Sequence, residues 1–212
     1  MQVAGGLAED GVIIGNTLDK YGSCNPIVRR IIEGFDQSLS QLVATANPRS
    51  IHEVGCGEGY WVVKWCNEGI DARGSDFSEK VIAMAQSHAS ASAIDNNRFF
   101  VRSIYELEAD RDTADLIVCC EVLEHLEEPE KALEALARTT KKDLIISVPR
   151  EPLWCALNMA RGKYWSSFGN TPGHLQNWSK SGIVKLASRY FDIERVLSPL
   201  PWTMIHCKPK SN

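Results

Sequence analysis

Residues 50–61 read Ser-Ile-His-Glu-Val-Gly-Cys-Gly-Glu-Gly-Tyr-Trp, and this stretch decides the fold. A short apolar strand ends at Val54, glycines follow at positions 55, 57 and 59, and an apolar run begins at Tyr60. The pattern predicts a strand, a tight glycine turn and a helix. Glycine permits positive φ and lets a ligand approach the backbone where a Cβ would block it. The helix start offers free N–H groups, so the turn suits a nucleotide-like ligand.

The glycine spacing differs from that of the dinucleotide-binding fingerprint. In Gly-x-Gly-x-x-Gly the third glycine would stand at position 60, but here it comes one residue early at Gly59 and Tyr60 follows. Glu53, two residues before the first glycine, is a second departure. A glycine turn that serves only packing remains an alternative for this stretch taken alone.

The segment from Glu53 to Gly59 resembles motif I of the class I S-adenosylmethionine-dependent methyltransferases. The resemblance implies that Gly55 and Gly57 line the methionine end of the cofactor, with Cys56 and Gly59 in the same binding turn. It also implies that Glu53 holds the turn or reaches the amine of the ligand. S-adenosylmethionine is therefore the expected cofactor.

Composition narrows the class of protein. The 212 residues carry a net charge of −4 at pH 7, which argues against nucleic-acid binding because phosphate contacts need clustered Lys and Arg. The seven cysteines form no C-x-x-C pair and lie mostly in apolar runs, so we expect no metal site and no disulfide framework. No apolar run approaches the roughly 20 residues that span a bilayer, and no signal peptide is visible. We expect one cytoplasmic domain without a membrane span.

A second strand, residues 70–75, leads to an acidic residue at the expected place for ribose binding. Asp76 lies 21 residues beyond Gly55 and is followed by Phe77. A carboxylate just beyond the end of this strand can accept hydrogen bonds from both ribose hydroxyls. Asp76 and Phe77 are therefore predicted to bind the cofactor, although Asp76 could instead be a plain helix-entry acid.

Two further strands carry the rest of the predicted cofactor site. Residues 98–102 form a third strand, and Ser103 follows where the family usually has an acid that bonds the adenine amine; Ile104 is expected to cover the ring. The apolar run 114–120 is typical of a strand buried on both faces of a parallel sheet. It leads into Glu-Val-Leu-Glu-His-Leu at 121–126, which resembles the family motif that borders methionine and substrate. The resemblance assigns Cys120 and Glu121 to the cofactor site.

Alternating strands and helices predict an α/β fold with right-handed crossovers. The family resemblance implies a Rossmann-like, doubly wound, seven-stranded sheet that is mostly parallel, has an antiparallel last strand and carries helices on both faces. Residues 1–47 are expected to form an N-terminal arm and lid helix, 48–149 the cofactor-binding core, 150–178 a substrate-covering insertion, and 179–212 a final helix and strand pair. Tyr21 is expected to reach the cofactor from the arm.

The insertion at 150–178 is rich in aromatic and basic residues and too long for a simple connection. Its predicted substrate-binding residues are Arg150, Arg161, Tyr164, Trp165 and His174. The cations suggest an acceptor with a carboxylate or phosphate, and the aromatic residues suggest a ring or lipid part. An interaction surface or a satellite core under a loop is the alternative.

The predicted reaction is methyl transfer to an oxygen or nitrogen of a small-molecule acceptor. A base is needed only if the nucleophile carries a proton, and His174, His125 and Tyr21 are the candidates. Two rivals remain: a dinucleotide-dependent oxidoreductase, and a non-catalytic cofactor-binding or scaffold protein of the same fold. The chain is expected to act as a monomer or homodimer, without a nucleic-acid partner.

Overall fold

The computed structural model describes residues 3–9, 12–15, 22–160, 162, 164–171 and 173–211. The nine strands in this part of the chain are β1 (Ala8–Glu9), β2 (Val12–Ile13), β3 (Ser50–Val54), β4 (Asp71–Asp76), β5 (Phe99–Val101), β6 (Leu116–Cys120), β7 (Asp143–Pro149), β8 (Phe191–Leu197) and β9 (Trp202–Pro209). The α-helices there are α1 (Pro26–Ala46), α2 (Tyr60–Asn67), α3 (Glu79–Ala91), α4 (Pro129–Thr139), α5 (Leu153–Ala160) and α6 (Lys180–Ala187).

Seven of these strands form one sheet in the order β5-β4-β3-β6-β7-β9-β8. The five strands from β5 to β7 pair in parallel, and β9 lies antiparallel between β7 and β8. The predicted mostly parallel, doubly wound sheet with an antiparallel last strand is confirmed.

The sheet has a hydrophobic core on each face, because side chains alternate along a strand. In β6, Leu116 and Val118 join the core formed with α1, α2 and α3. Ile117 and Cys119 join the core formed with α4 and α6. Both faces of β6 are therefore covered, as its unbroken apolar sequence predicts.

Helix α1 begins where the sequence predicts. The Oδ1 atom of Asn25 accepts hydrogen bonds from the N–H groups of Ile27 (2.9 Å) and Val28 (3.4 Å), and Pro26 occupies the first helical position. The helix ends at Asn47, whose φ of 46° is left-handed.

The N-terminal segment is more ordered than the sequence indicates. Strands β1 and β2 pair as an antiparallel ribbon, and Ala4 and Ile14 are buried against Val81 of α3. Two-residue strands are too short to show an alternating pattern, so this ribbon depends on its contact with α3. The insertion likewise contains helix α5, which we did not predict.

The strand order places a crevice between β3 and β6. These neighbours are followed by connections that lead to opposite halves of the sheet, from β3 towards β4 and from β6 towards β7. In open α/β sheets, ligands bind beyond the carboxyl ends of the strands at this switch point. The residues that follow β3 and β6 are therefore the first to consider as a site.

Candidate functional site

The glycine turn after β3 is held by the end of β4. The N–H groups of Gly55 and Cys56 donate to the carbonyl oxygen of Ser75 at 2.7 and 2.9 Å, and Gly59 N–H donates to the carbonyl of Cys56 at 3.0 Å. The φ angles of Gly55, Gly57 and Gly59 are 76°, 53° and 81°. All three lie in the left-handed region that favours glycine, so the turn requires these residues.

Neighbouring side chains also leave no room for a Cβ atom at two of the glycines. A Cβ on Gly59 would lie 2.6 Å from Cε1 of Phe99 and 3.1 Å from Cβ of Ala85, and a Cβ on Gly55 would overlap the side chain of Val122. Close packing of the turn on α3 and β5 thus accounts for Gly59. The packing use of a glycine turn and its use for ligand binding are both compatible with this geometry.

Asp76 lies at the carboxyl end of β4, directly beside the turn. Its Oδ2 atom accepts a hydrogen bond from Gly57 N–H at 3.2 Å and its Oδ1 atom accepts one from Ser78 N–H at 3.1 Å. Burial raises the pKa of Asp76 above its ordinary value, and the two backbone N–H groups act in the opposite direction. The glycine turn and the predicted ribose-binding carboxylate are therefore in direct contact.

The N-terminal ribbon closes over the same region. Ala4 N–H donates to Oε1 of Glu58 at 2.9 Å, and the hydroxyl of Ser78 donates to Oε2 of Glu9 at 2.5 Å. The predicted contribution of Tyr21 to this side lies outside the described residues.

The predicted adenine-binding residues follow β4 and β5. Phe77 leaves 46% of its surface exposed beside Asp76, while Ile104 is buried in the second core. The hydroxyl oxygen of Ser103 accepts a weak hydrogen bond from Tyr105 N–H at 3.4 Å and caps a short helical turn. These residues lie at the expected edge of the sheet, and their contact with adenine stays a prediction.

Glu121, immediately after β6, has a φ of 59°, a left-handed backbone angle that residues other than glycine rarely adopt. Its carboxylate accepts hydrogen bonds from the hydroxyl of Ser147 at 3.1 Å and from Nε1 of Trp202 at 2.6 Å. Cys120 precedes it, and burial raises the pKa of that thiol well above its usual range. Interactions with β7 and β9 thus hold the chain in a strained turn where it enters the crevice.

Two histidines and a glutamate converge just beyond Glu121. Glu124, His125 and His174 each offer a ligand atom, and these atoms all lie within 4.8 Å of one another. The two imidazole rings are 5.0 Å apart at 79°. A loop of the insertion is docked here, because the carbonyl oxygen of Glu124 accepts the N–H groups of Leu175 (2.8 Å) and Gln176 (3.0 Å).

His174, a member of this cluster, also contacts an aromatic side chain on its other side. Its ring lies 5.9 Å from that of Trp154, at 30°. Burial, with a smaller effect of His125, lowers the pKa of His174 to about 4. Within the described part of the chain, its buried Nδ1 atom has no hydrogen-bond partner. The ring is therefore neutral at pH 7.

The other predicted substrate residues are more dispersed. Trp165 is 67% exposed beside Tyr164, and Phe168 is 82% exposed. The backbone of Arg150 forms a β-bridge with Trp178, which packs against the second core. Arg161 lies outside the described residues. Of the predicted substrate and catalytic residues, the structure brings His125 and His174 together.

The sequence prediction did not assign a role to Glu124. Its position next to His125 was the available signal, but His174 lies 49 residues further along the chain. Only docking of the insertion brings the three side chains together.

Comparisons with known proteins agree with this geometry. A family model described as a methyltransferase domain matches residues 51–143, which include the glycine turn, Asp76 and the segment after β6. The family resemblance of the glycine turn is thereby confirmed.

Curated relatives match different lengths of the chain. A ubiquinone biosynthesis O-methyltransferase of Pectobacterium atrosepticum is 30% identical over 105 residues, which are 49% of this chain and 43% of that protein. A protein of the same name from Alkalilimnicola ehrlichii is 26% identical over 185 residues, 80% of this chain and 74% of the relative. The chain thus spans less than half of the first relative's length.

A solved structure shares the fold across most of the chain. Magnesium protoporphyrin IX methyltransferase from Synechocystis PCC 6803, crystallised with bound SAH, superimposes with a TM-score of 0.67 at 22% identity. The match covers 91% of this chain and 94% of that one. At this identity the similarity establishes the fold alone.

Proposed function

We propose that this chain, whose residues 51–143 match the model of a methyltransferase domain, transfers a methyl group from S-adenosylmethionine to an oxygen of a small-molecule acceptor. The observation that carries the proposal is the direct contact between the glycine turn and Asp76 at the switch point of the sheet. The names of the curated relatives favour oxygen over nitrogen as the methylated atom.

The residues present fit this cofactor. The turn from Gly55 to Gly59 lies at the carboxyl end of β3, where the switch point of the sheet favours ligand binding, and its glycines hold the backbone at positive φ. The carboxylate of Asp76 is held by Gly57 and Ser78, and each of its oxygens has a second lone pair that can accept a ribose hydroxyl. Phe77 presents an exposed ring beside that carboxylate, which suits the flat face of adenine.

In the proposed mechanism the protein mainly positions the reactants. When bound, S-adenosylmethionine supplies a methyl group that its sulfonium already activates. Asp76 holds the ribose, and the turn after β3 orients the methionine end towards the crevice beyond β6. His125 and His174 would border the acceptor oxygen on the side of the crevice beyond β6. Positioning and exclusion of water then supply most of the acceleration.

The insertion gives the acceptor its proposed character. Trp165 and Phe168 expose large aromatic surfaces near the start of the loop that carries His174. Exposed apolar surface of this kind is typical of a binding region, and Arg150 adds a cation at the first position of the insertion. We propose an aromatic or lipid-like acceptor with an anionic group.

All seven cysteines are free, which favours a reducing compartment such as the cytoplasm.

Calorimetric titration with S-adenosylmethionine and S-adenosylhomocysteine tests the proposal. The variant is Asp76→Asn, and Asp71→Asn is a matched control because Asp71 begins the strand that Asp76 ends. Hydrogen bonds to a charged group contribute about 1.5–3 kcal/mol, so we expect Asp76→Asn to weaken binding roughly 10- to 100-fold. Asp71 is exposed and paired with Arg98 at the opposite edge of the sheet, so its variant should bind normally.

Three results would count against the proposal in different ways. If the wild type bound neither ligand, the cofactor assignment would be wrong. Binding of a nicotinamide dinucleotide instead would support the hypothesis that the protein is an oxidoreductase. Tight cofactor binding with no methyl transfer to any acceptor in a library of phenols, carboxylic acids and lipids would favour a non-catalytic protein of the same fold.

A further inference from the structure

We propose that Glu124, His125 and His174 bind a divalent transition-metal ion that holds the acceptor oxygen for methyl transfer. The part played by the ion in catalysis rests on the proposed function above. Binding of the ion does not, because it depends only on the three side chains.

The three ligand atoms are close enough to share an ion after a small adjustment. Metal–ligand distances of about 2.0–2.2 Å place neighbouring ligand atoms about 3.0–3.5 Å apart. The ligand atoms of Glu124, His125 and His174 lie within 4.8 Å of one another. Side-chain rotations that bring the atoms about 1 Å closer would therefore complete the site.

The surroundings of His125 favour a ligand role. Its Nδ1 atom lies 2.9 Å from the carbonyl oxygen of Gly173, to which an Nδ1–H group donates. That hydrogen bond selects the tautomer in which Nε2 carries the lone pair, which is the common arrangement for a metal-bound histidine. A backbone contact thus sets the orientation of the first ligand.

His174 is held on its other side. Trp154 packs against the ring, and Nε1 of Trp154 donates to Oγ1 of Thr171 at 2.8 Å. The N–H group of His174 donates to the carbonyl of Thr171 at 3.0 Å. These contacts fix the position of the ring, while its buried Nδ1 has no hydrogen-bond partner within the described residues. A metal ion would satisfy a nitrogen of this ring.

The donor set indicates the kind of ion. Two imidazole nitrogens and one carboxylate oxygen suit Mn²⁺, Fe²⁺, Co²⁺ or Zn²⁺ better than Mg²⁺ or Ca²⁺, which prefer oxygen ligands. No cysteine belongs to the cluster, so a closed thiolate site is excluded. Three protein ligands leave coordination positions open for a second molecule, as catalytic rather than structural sites do.

An open position beside the crevice explains how an acceptor hydroxyl could react without a strong base. A metal-bound oxygen loses its proton far more readily than a free one, and that proton passes to solvent. The acceptor oxygen then forms its bond to the methyl carbon as the bond from that carbon to sulfur breaks. The products are the methylated acceptor and S-adenosylhomocysteine. A hydroxyl next to a second oxygen on the acceptor would bind most tightly, because both oxygens could coordinate the ion.

Metal uptake is measured on the full chain with Mn²⁺ as the probe, because free thiols would compete for Zn²⁺ or Co²⁺. Calorimetry gives the affinity, and pulsed electron paramagnetic resonance of bound Mn²⁺ detects the nitrogen nuclei of coordinated imidazole. The variants are His125→Ala, His174→Ala and Glu124→Gln. His88→Gln is the matched control, since His88 lies on α3 outside the cluster. Thermal denaturation of every variant shows whether it is folded.

We expect one Mn²⁺ per chain with nitrogen coupling, a loss of at least tenfold in affinity in each cluster variant, and no change in His88→Gln. Absence of Mn²⁺ binding at millimolar concentration would overturn the proposal. So would binding that lacks nitrogen coupling or that persists in the folded His125→Ala and His174→Ala variants. Cofactor titration of the same samples separates the two proposals: normal S-adenosylmethionine binding without Mn²⁺ binding would refute only the metal site.

Discussion

Replacement of Gly59 by alanine should destabilise the protein through two separable effects. Gly59 and Gly69 flank helix α2 with nearly equal φ angles of 81° and 85°. A Cβ on Gly59 would lie 2.6 Å from Cε1 of Phe99, whereas a Cβ on Gly69 would meet no atom within 4 Å. The two glycines thus form a matched pair in which only one site is crowded.

The magnitudes follow from that difference. A left-handed conformation costs alanine about 1–2 kcal/mol, partly offset by about 0.4–1 kcal/mol because the unfolded chain loses freedom. Gly69→Ala should therefore cost about 1 kcal/mol. Carbon atoms normally approach to about 3.5–4.0 Å, so Gly59→Ala forces an overlap of about 1 Å against the buried ring of Phe99. Overpacking of this kind adds about 1–3 kcal/mol, for a total of about 2–4 kcal/mol.

Urea denaturation of both variants measures the free energy of unfolding directly. A third and a fourth protein, Phe99→Leu and the double variant Gly59→Ala with Phe99→Leu, complete a double-mutant cycle. In the Phe99→Leu background, Gly59→Ala should cost little more than Gly69→Ala, because the clashing ring atoms are gone. Equal costs of the two single glycine substitutions, or a cycle with no coupling, would refute the role assigned to packing at Gly59.

Three other predictions concern side chains that form hydrogen bonds. Burial lowers the pKa of His52 from 6.5 to about 4, and the ring is bonded to the carbonyl of Asp112 at 2.6 Å. Between these pH values the unfolded state therefore binds one more proton than the native state. As the pH falls from 6.5 to 4, the free energy of unfolding should fall by about 3 kcal/mol more in the wild type than in His52→Gln. Denaturation at several pH values measures this difference. Asn25→Ala removes the cap of α1 and should cost about 1 kcal/mol in urea denaturation; an unchanged midpoint would contradict the capping role. Trp202→Phe removes the 2.6 Å bond to Glu121 and should lower stability by about 1.5–3 kcal/mol, and a variant as stable as wild type would show that this bond does not hold the strained turn.

Much of the fold could be predicted because its signals are local. The cap at Asn25 and the left-handed stop at Asn47 each depend on hydrogen bonds to residues no more than about one helical turn away. The unbroken apolar run of β6 reflects burial on both faces. The short ribbon of β1 and β2 carried no such pattern, since its order depends on contact with α3.

One part of the candidate site could likewise be predicted from the sequence, and another part could not. The positions of the glycine turn and Asp76 at one sheet edge could be predicted, because parallel strands end at a common edge. The turn directly follows β3, and Asp76 is the last residue of β4. The cluster at Glu124 and His125 could not, since its third member comes from a loop of the insertion whose path no local pattern describes.

The sequence by itself therefore determined the order of elements, the class of sheet and the place of the glycine turn at the end of β3. Those features arise from backbone conformation and from alternation of apolar residues over short distances. The tertiary structure alone decided that the carboxylate of Glu121 is held by Ser147 and Trp202, and that His174 reaches His125. The physical reason is that these contacts join segments far apart in the chain, and they form only where packing and backbone hydrogen bonds dock one segment on another.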